Sequence, residues 1–76
     1  MITPAQIRMA RAALNVSVRI LADRTGVAES TIHRFETNRG GMQTGTLEKL
    51  QSALEAEGVI FIHPDAGGGA GIRFKV

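Results

Sequence analysis

The sequence contains no cysteine and only two histidines in 76 residues. Without cysteine there is neither a disulfide framework nor a thiolate metal site, so nothing in the chain calls for an oxidising compartment. His33 and His63 stand thirty positions apart with only scattered acids around them, which argues against a metal centre. No apolar run approaches the ~20 residues needed to span a bilayer, and no basic stretch followed by an apolar one opens the chain. The expectation is a cytoplasmic protein without a membrane partner. Catalytic constellations are missing too. Ser17, Ser30 and Ser52 have no histidine placed by motif to activate them. The glycines of 67–71 precede neither Lys-Ser/Thr nor a helix, so they read as a flexible turn and not as a phosphate loop. No cofactor and no enzymatic activity are expected.

What is present is one small, slightly basic unit, with nine Lys and Arg against seven Asp and Glu. A chain of this length buries a core of marginal size, so a partner or a second copy would help to stabilise it. The charge is uneven. Residues 1–41 carry Arg8, Arg11, Arg19, Arg24, Arg34 and Arg39 against Asp23, Glu29 and Glu36. That half suits a polyanion.

Hydrophobic spacing and punctuation divide the chain into four helices and a hairpin. Thr3-Pro4-Ala5-Gln6 reads as an N-cap, a proline at the first helical position and a capping box. Ile7, Ala10 and Leu14 then share a face of a helix over 4–14. Ser17 caps a second helix that runs to Thr25, and Gly26 ends it in the left-handed region. A third helix covers Glu29–Thr37, with Ile32 and Phe35 inward and Ala28 where a polar cap is expected. Asn38 opens a glycine-containing loop, and Leu47, Leu50 and Leu54 mark a fourth helix over Thr46–Glu57, closed by Gly58. The period then changes. Val59–Ile62 and Ile72–Val76 read as the strands of a hairpin, with Ile72, Phe74 and Val76 inward and Arg73 and Lys75 outward. The division is therefore 1–58 for the helical unit and 59–76 for the hairpin. If Val59 and Phe61 cover the helices, Ile60 and Ile62 have nothing to cover, so they are the expected homodimer interface.

Two helices meeting at Gly26-Val27, with Ala22 small enough for close approach, form a helix-turn-helix pattern. In such a motif the outward face of the second helix lies in the major groove. The base-contact candidates are Glu29, Ser30, His33 and Arg34: Arg34 for guanine, Ser30 for either edge, Glu29 for a cytosine amino group. The phosphate-contact candidates are Ser17, Arg19, Thr37 and Arg39, the first two at a helix N-terminus whose free N–H groups converge. Each of these also suits an ordinary solvated polar face.

Leu21-Ala22, Gly26-Val27 and Ser30-Thr31-Ile32-His33-Arg34-Phe35-Glu36 stand in a register that resembles the phage-repressor or Cro-type (Xre-like) helix-turn-helix family. The resemblance spans residues 4–57. It implies a mostly α, four-helix, lambda-repressor-like helix-turn-helix domain, here followed by a C-terminal β-hairpin. It further implies a structural salt bridge between Arg11 and Glu36, binding to double-stranded DNA as a homodimer on an inverted repeat, and a role as a transcriptional regulator such as a repressor. Two positions depart from the family pattern: Val18 replaces the usual Gln after the serine, and Ala28 replaces the polar cap. Both remove polar groups from the DNA-facing edge, so the alternative is a protein-binding module on the same fold, an antiactivator or antitoxin contacting another regulator.

Overall fold

The computed structural model describes all residues from Met1 to Val76. Helix α1 spans Pro4–Leu14 and starts as its sequence dictates. The Thr3 hydroxyl accepts from the Gln6 N–H at 3.2 Å, and the Gln6 Oε1 accepts from the Thr3 N–H at 2.9 Å. Asn15 ends the helix in the left-handed region, φ 56°. Helix α2, Val18–Thr25, is capped by Ser17, whose Oγ accepts from the Ile20 N–H at 3.0 Å. It stops at Gly26, φ 75°, where an added β-carbon would meet nothing within 4 Å. Glycine is needed there for its backbone conformation and not for space.

Helix α3, Glu29–Glu36, begins at Ala28 with no side-chain cap bond. Helix α4 spans Thr44–Ala56, opening two residues before the Thr46 expected from sequence and taking Gly45 into its first turn. The Thr-Gly-Thr stretch carries no start signal. What places the turn is the bond from the Leu47 N–H to the Gln43 carbonyl, 2.9 Å, beneath a buried Leu47.

One core joins all elements: Ile2, Ile7, Ala10, Val16, Leu21, Ile32, Phe35, Leu47, Leu50 and Leu54, together with Val59 and Phe61 of the hairpin. Strands β1 (Val59–Ile62) and β2 (Gly71–Phe74) are antiparallel, with Val59 opposite Phe74, Ile60 opposite Arg73, Phe61 opposite Ile72 and Ile62 opposite Gly71. Strand β1 packs on α4 and β2 on α1. Val59 and Phe61 face the helices, while Ile60 is 41% exposed and Ile62 half-buried. The expectation that Phe74 and Val76 turn inward is corrected. Phe74 is 52% exposed and Val76 is fully exposed beyond the end of β2. Alternation decides which face of the strand a residue occupies, but not whether a helix reaches far enough to cover it.

A buried glutamine holds the hairpin in place. Gln6, 1% exposed, donates from Nε2 to the carbonyls of Ile62 and Gly71, each at 2.9 Å. The residue that closes the capping box of α1 thus also ties that helix to both strands. The capping box is visible in the sequence; the second role has no sequence signal.

Candidate nucleic-acid interface

The turn between α2 and α3 is built from few atoms. Thr25 donates its hydroxyl to the Leu21 carbonyl at 2.8 Å and accepts from the Val27 N–H at 3.2 Å, so one side chain spans the corner around Gly26. Ile32 and Phe35 are buried, which by helical period turns Ser30, His33 and Arg34 to the other side. All three are exposed, as is Glu29. Glu29 is the first residue of an uncapped helix, where a carboxylate interacts favourably with the positive end of the helix dipole. It therefore has a local stabilising role independent of any base.

The orientation of α3 is held from α1. Arg11 meets the Glu36 carboxylate bidentately, Nε to Oε2 and Nη2 to Oε1, both at 2.6 Å. Its Nη1 donates to the Val16 carbonyl at 3.1 Å. The Glu36 side chain is 4% exposed and that of Arg11 22%. Hydrogen bonding and charge attraction from Glu36 raise the Arg11 pKa above its already high value, against a smaller opposing effect of burial. Arg8 adds a tie that neither the motif nor the resemblance indicated, donating from Nη1 to the Glu36 backbone carbonyl at the end of α3. Its position on the same helix one turn before Arg11 is the only hint the sequence offers.

The six arginines of the first half now separate into two groups. Arg8 and Arg11 are engaged with Glu36, and Arg24 pairs with Glu57 of α4. Arg19, Arg34 and Arg39 are exposed and make no side-chain hydrogen bond or ion pair. Ser17 uses only a lone pair in capping α2, so its hydroxyl hydrogen is available at the exposed helix start. Thr37 differs. Its hydroxyl donates back to the His33 carbonyl at 2.8 Å, with Arg34 carbonyl at 3.4 Å, so it closes α3 and has no hydrogen to offer a phosphate in this conformation. Val18 is half-buried against the core, whereas Ile20 on α2 stays 41% exposed. No three His, Asp or Glu side chains converge on a point that could hold a metal ion, and no helix is long and apolar enough to cross a membrane.

Comparison with known proteins agrees with this geometry. No curated protein matches the chain. A family model described as a helix-turn-helix domain matches residues 5–59, from the first turn of α1 to the first residue of β1. With that match over most of its length and α2 and α3 meeting at Gly26, the chain belongs to the helix-turn-helix domain family.

Proposed function

We propose that the protein is a sequence-specific transcriptional regulator that binds double-stranded DNA as a homodimer, α3 of each subunit lying in successive major grooves of an inverted repeat about one helical turn apart. The observation that carries this reading is the separation of the arginines. Those with an internal carboxylate or carbonyl partner hold the fold, and those left free, Arg19, Arg34 and Arg39, flank the exposed face of α2 and α3. Arg34 reads a guanine, Ser30 and His33 contact neighbouring base edges, and Glu29 accepts from a cytosine amino group where one is present. Arg19, Arg39, the Ser17 hydroxyl and the free N–H groups at the start of α2 bind phosphates. The hairpin supplies the dimer contact. The protein acts by occupying DNA and not by catalysis, in the cytoplasm.

The test is binding to DNA upstream of its own gene, with and without excess non-specific DNA, at two salt concentrations. Specific binding that weakens steeply with salt supports the proposal, because phosphate contacts release counterions. Equal affinity for specific and random DNA overturns it.

A second reading, a protein-binding module contacting another regulator, is favoured by one observation. Ile20 exposes an apolar side chain on α2 beside Arg19, where a DNA-facing surface gains from polar groups. Replacing Ile20 with Gln separates the two: DNA affinity is kept or improved under the first reading, and a protein complex is lost under the second.

A further inference from the structure

Two open grooves mark the helical unit, and they differ in charge. The groove between α2 and α4, about 400 Å³, has Arg24, Lys49 and Glu48 on its walls, and Arg24 is already paired with Glu57. Its signs cancel. The groove between α1 and α2, about 340 Å³, has Arg8, Arg11 and Ala12 of one α1 stripe on one side and Val16, Ser17 and Ile20 on the other. No acidic side chain lines it. Glu36, which neutralises Arg11, is buried away from any ligand lying there. The cations keep donors in reserve. A guanidinium carries five N–H groups. Arg8 spends one on the Glu36 carbonyl, leaving four, and Arg11 donates one bond from each of its three nitrogens, leaving two. The hydroxyl hydrogen of Ser17 is free as well, and Arg19 stands exposed next to Ile20. Between these polar groups the surface is apolar, with Val16 buried and Ala12 and Ile20 exposed. Ile20 is the one large apolar side chain that α2 and α3 leave in the open, and it has no part in the core.

We propose that the α1–α2 groove docks an acidic peptide segment of another protein. One aliphatic side chain of the segment packs between Ala12, Val16 and Ile20, and the carboxylates flanking it take the spare donors of Arg8 and Arg11 and the Ser17 hydroxyl. Charge complementarity selects this occupant. Every charged group at the groove is cationic, so an acidic segment is favoured there and a basic one is repelled. Guanidinium donors suit carboxylates in particular, since the planar fork offers two parallel bonds. The apolar wall adds a requirement that a bare anion does not meet: a side chain that covers Ile20. The inference gives the protein-binding reading its site and the chemistry of its partner. It also joins that reading to the first one. Ser17 and Arg19 are the proposed phosphate contacts at the start of α2, so a docked acidic segment stands where the DNA backbone would lie and competes with it. That competition rests on the DNA reading; the docking itself does not.

The test is a titration of the isotope-labelled full chain with the peptide acetyl-Glu-Glu-Leu-Glu-Glu-amide, followed through the backbone amide chemical shifts. The shifts should centre on Ala12, Val16, Ser17 and Ile20, and binding should weaken as salt is added. Exchanging the peptide's Leu for Gly, or its Glu residues for Lys, should each raise Kd by about tenfold or more. Ile20→Gln should do the same from the protein side, and since Ile20 is exposed and outside the core this variant keeps the fold. With the upstream DNA bound, the peptide shifts should disappear. Shifts centred on Arg34 and Arg39 in place of Ile20, equal binding of the Leu and Gly peptides, or inorganic phosphate binding the same amides as tightly as the peptide overturns the docking, because the groove then attracts any anion. Concentration-dependent shifts at Ala12 and Ile20 without peptide give the groove to a second copy of this chain and overturn it too. Peptide that binds the DNA complex as tightly as the free protein overturns the competition. None of these results decides the DNA reading, which stands or falls with the DNA titration alone.

Discussion

Replacing Arg11 with Met removes the lock between α1 and the candidate recognition helix, and the structure sets the size of the effect. Three donated bonds disappear, two to Glu36 at 2.6 Å and one to the Val16 carbonyl at 3.1 Å. The larger cost is the carboxylate left behind. The Glu36 side chain is 4% exposed and cannot regain water without moving α3, so the loss should be about 3–5 kcal/mol. A domain of this size has only about 4–11 kcal/mol in total, and each kcal/mol shifts its Tm by about 4–8 °C. Arg11→Met should therefore melt more than ~12 °C below the natural protein. Glu36→Met should cost less, since Arg11 is 22% exposed and its guanidinium can swing into solvent. The double variant should recover most of the Arg11→Met loss, because two apolar side chains then meet without a stranded charge. Thermal melts of the four proteins form a double-mutant cycle. The reasoning fails if Glu36→Met proves the more destabilising single change, or if the coupling energy is near zero.

The same pair bears on pH. The Arg11 pKa is raised in the folded state, so its stabilisation is present below the unfolded value and lost only as pH rises through the still higher folded one. Between pH 6 and 10, roughly, titration of Arg11 should contribute no slope to stability, checked by denaturant midpoints across that range. Gly26→Ala should cost ~1–2 kcal/mol, since the position is left-handed but sterically open, as read from urea unfolding. Ala28→Ser should stabilise by ~1 kcal/mol by supplying the cap that α3 lacks; an unchanged Tm would mean the helix start is satisfied in another way. Gln6→Leu should cost ~2–3 kcal/mol and speed amide exchange in the hairpin more than in α2 or α3, because its two donated bonds hold the strands to α1. On DNA, Arg34→Ala should lose ~1–3 kcal/mol of discrimination at one base pair. Arg39→Ala should weaken all sequences alike, as competition titrations with point-substituted sites would show.

Local signals located most of the fold. Thr3 and Ser17 start α1 and α2 and Gly26 stops α2 through their own backbone and side-chain preferences, Asn38 follows two residues after the end of α3, and the observed limits of α1, α2 and α3 fall within a residue of those expected from sequence. The start of α4 was less legible because no residue of Gln43-Thr44-Gly45-Thr46 caps it; the burial of Leu47 sets its position. The candidate face of α3 was legible too, since Ile32 and Phe35 define its opposite side. That Thr37 spends its hydroxyl on the helix end was not, because that choice depends on which carbonyls lie within reach once the helix has closed.

The sequence by itself determined the limits of α1, α2 and α3, the glycine corner, the inward and outward faces of the helices and the change of period at Gly58, all of which follow from chemistry within a few residues. Only the tertiary structure decided that Arg8 and Arg24 are engaged while Arg19, Arg34 and Arg39 are free, that Gln6 grips the hairpin, and that Phe74 lies in the open. Those outcomes depend on groups far apart in the chain, such as Arg8 with Glu36, Arg24 with Glu57 and Gln6 with Gly71, whereas the Arg11–Glu36 pair was already implied by the resemblance. No local pattern reports how far a helix extends over a strand or which of several cations reaches a buried carboxylate first; packing geometry settles both.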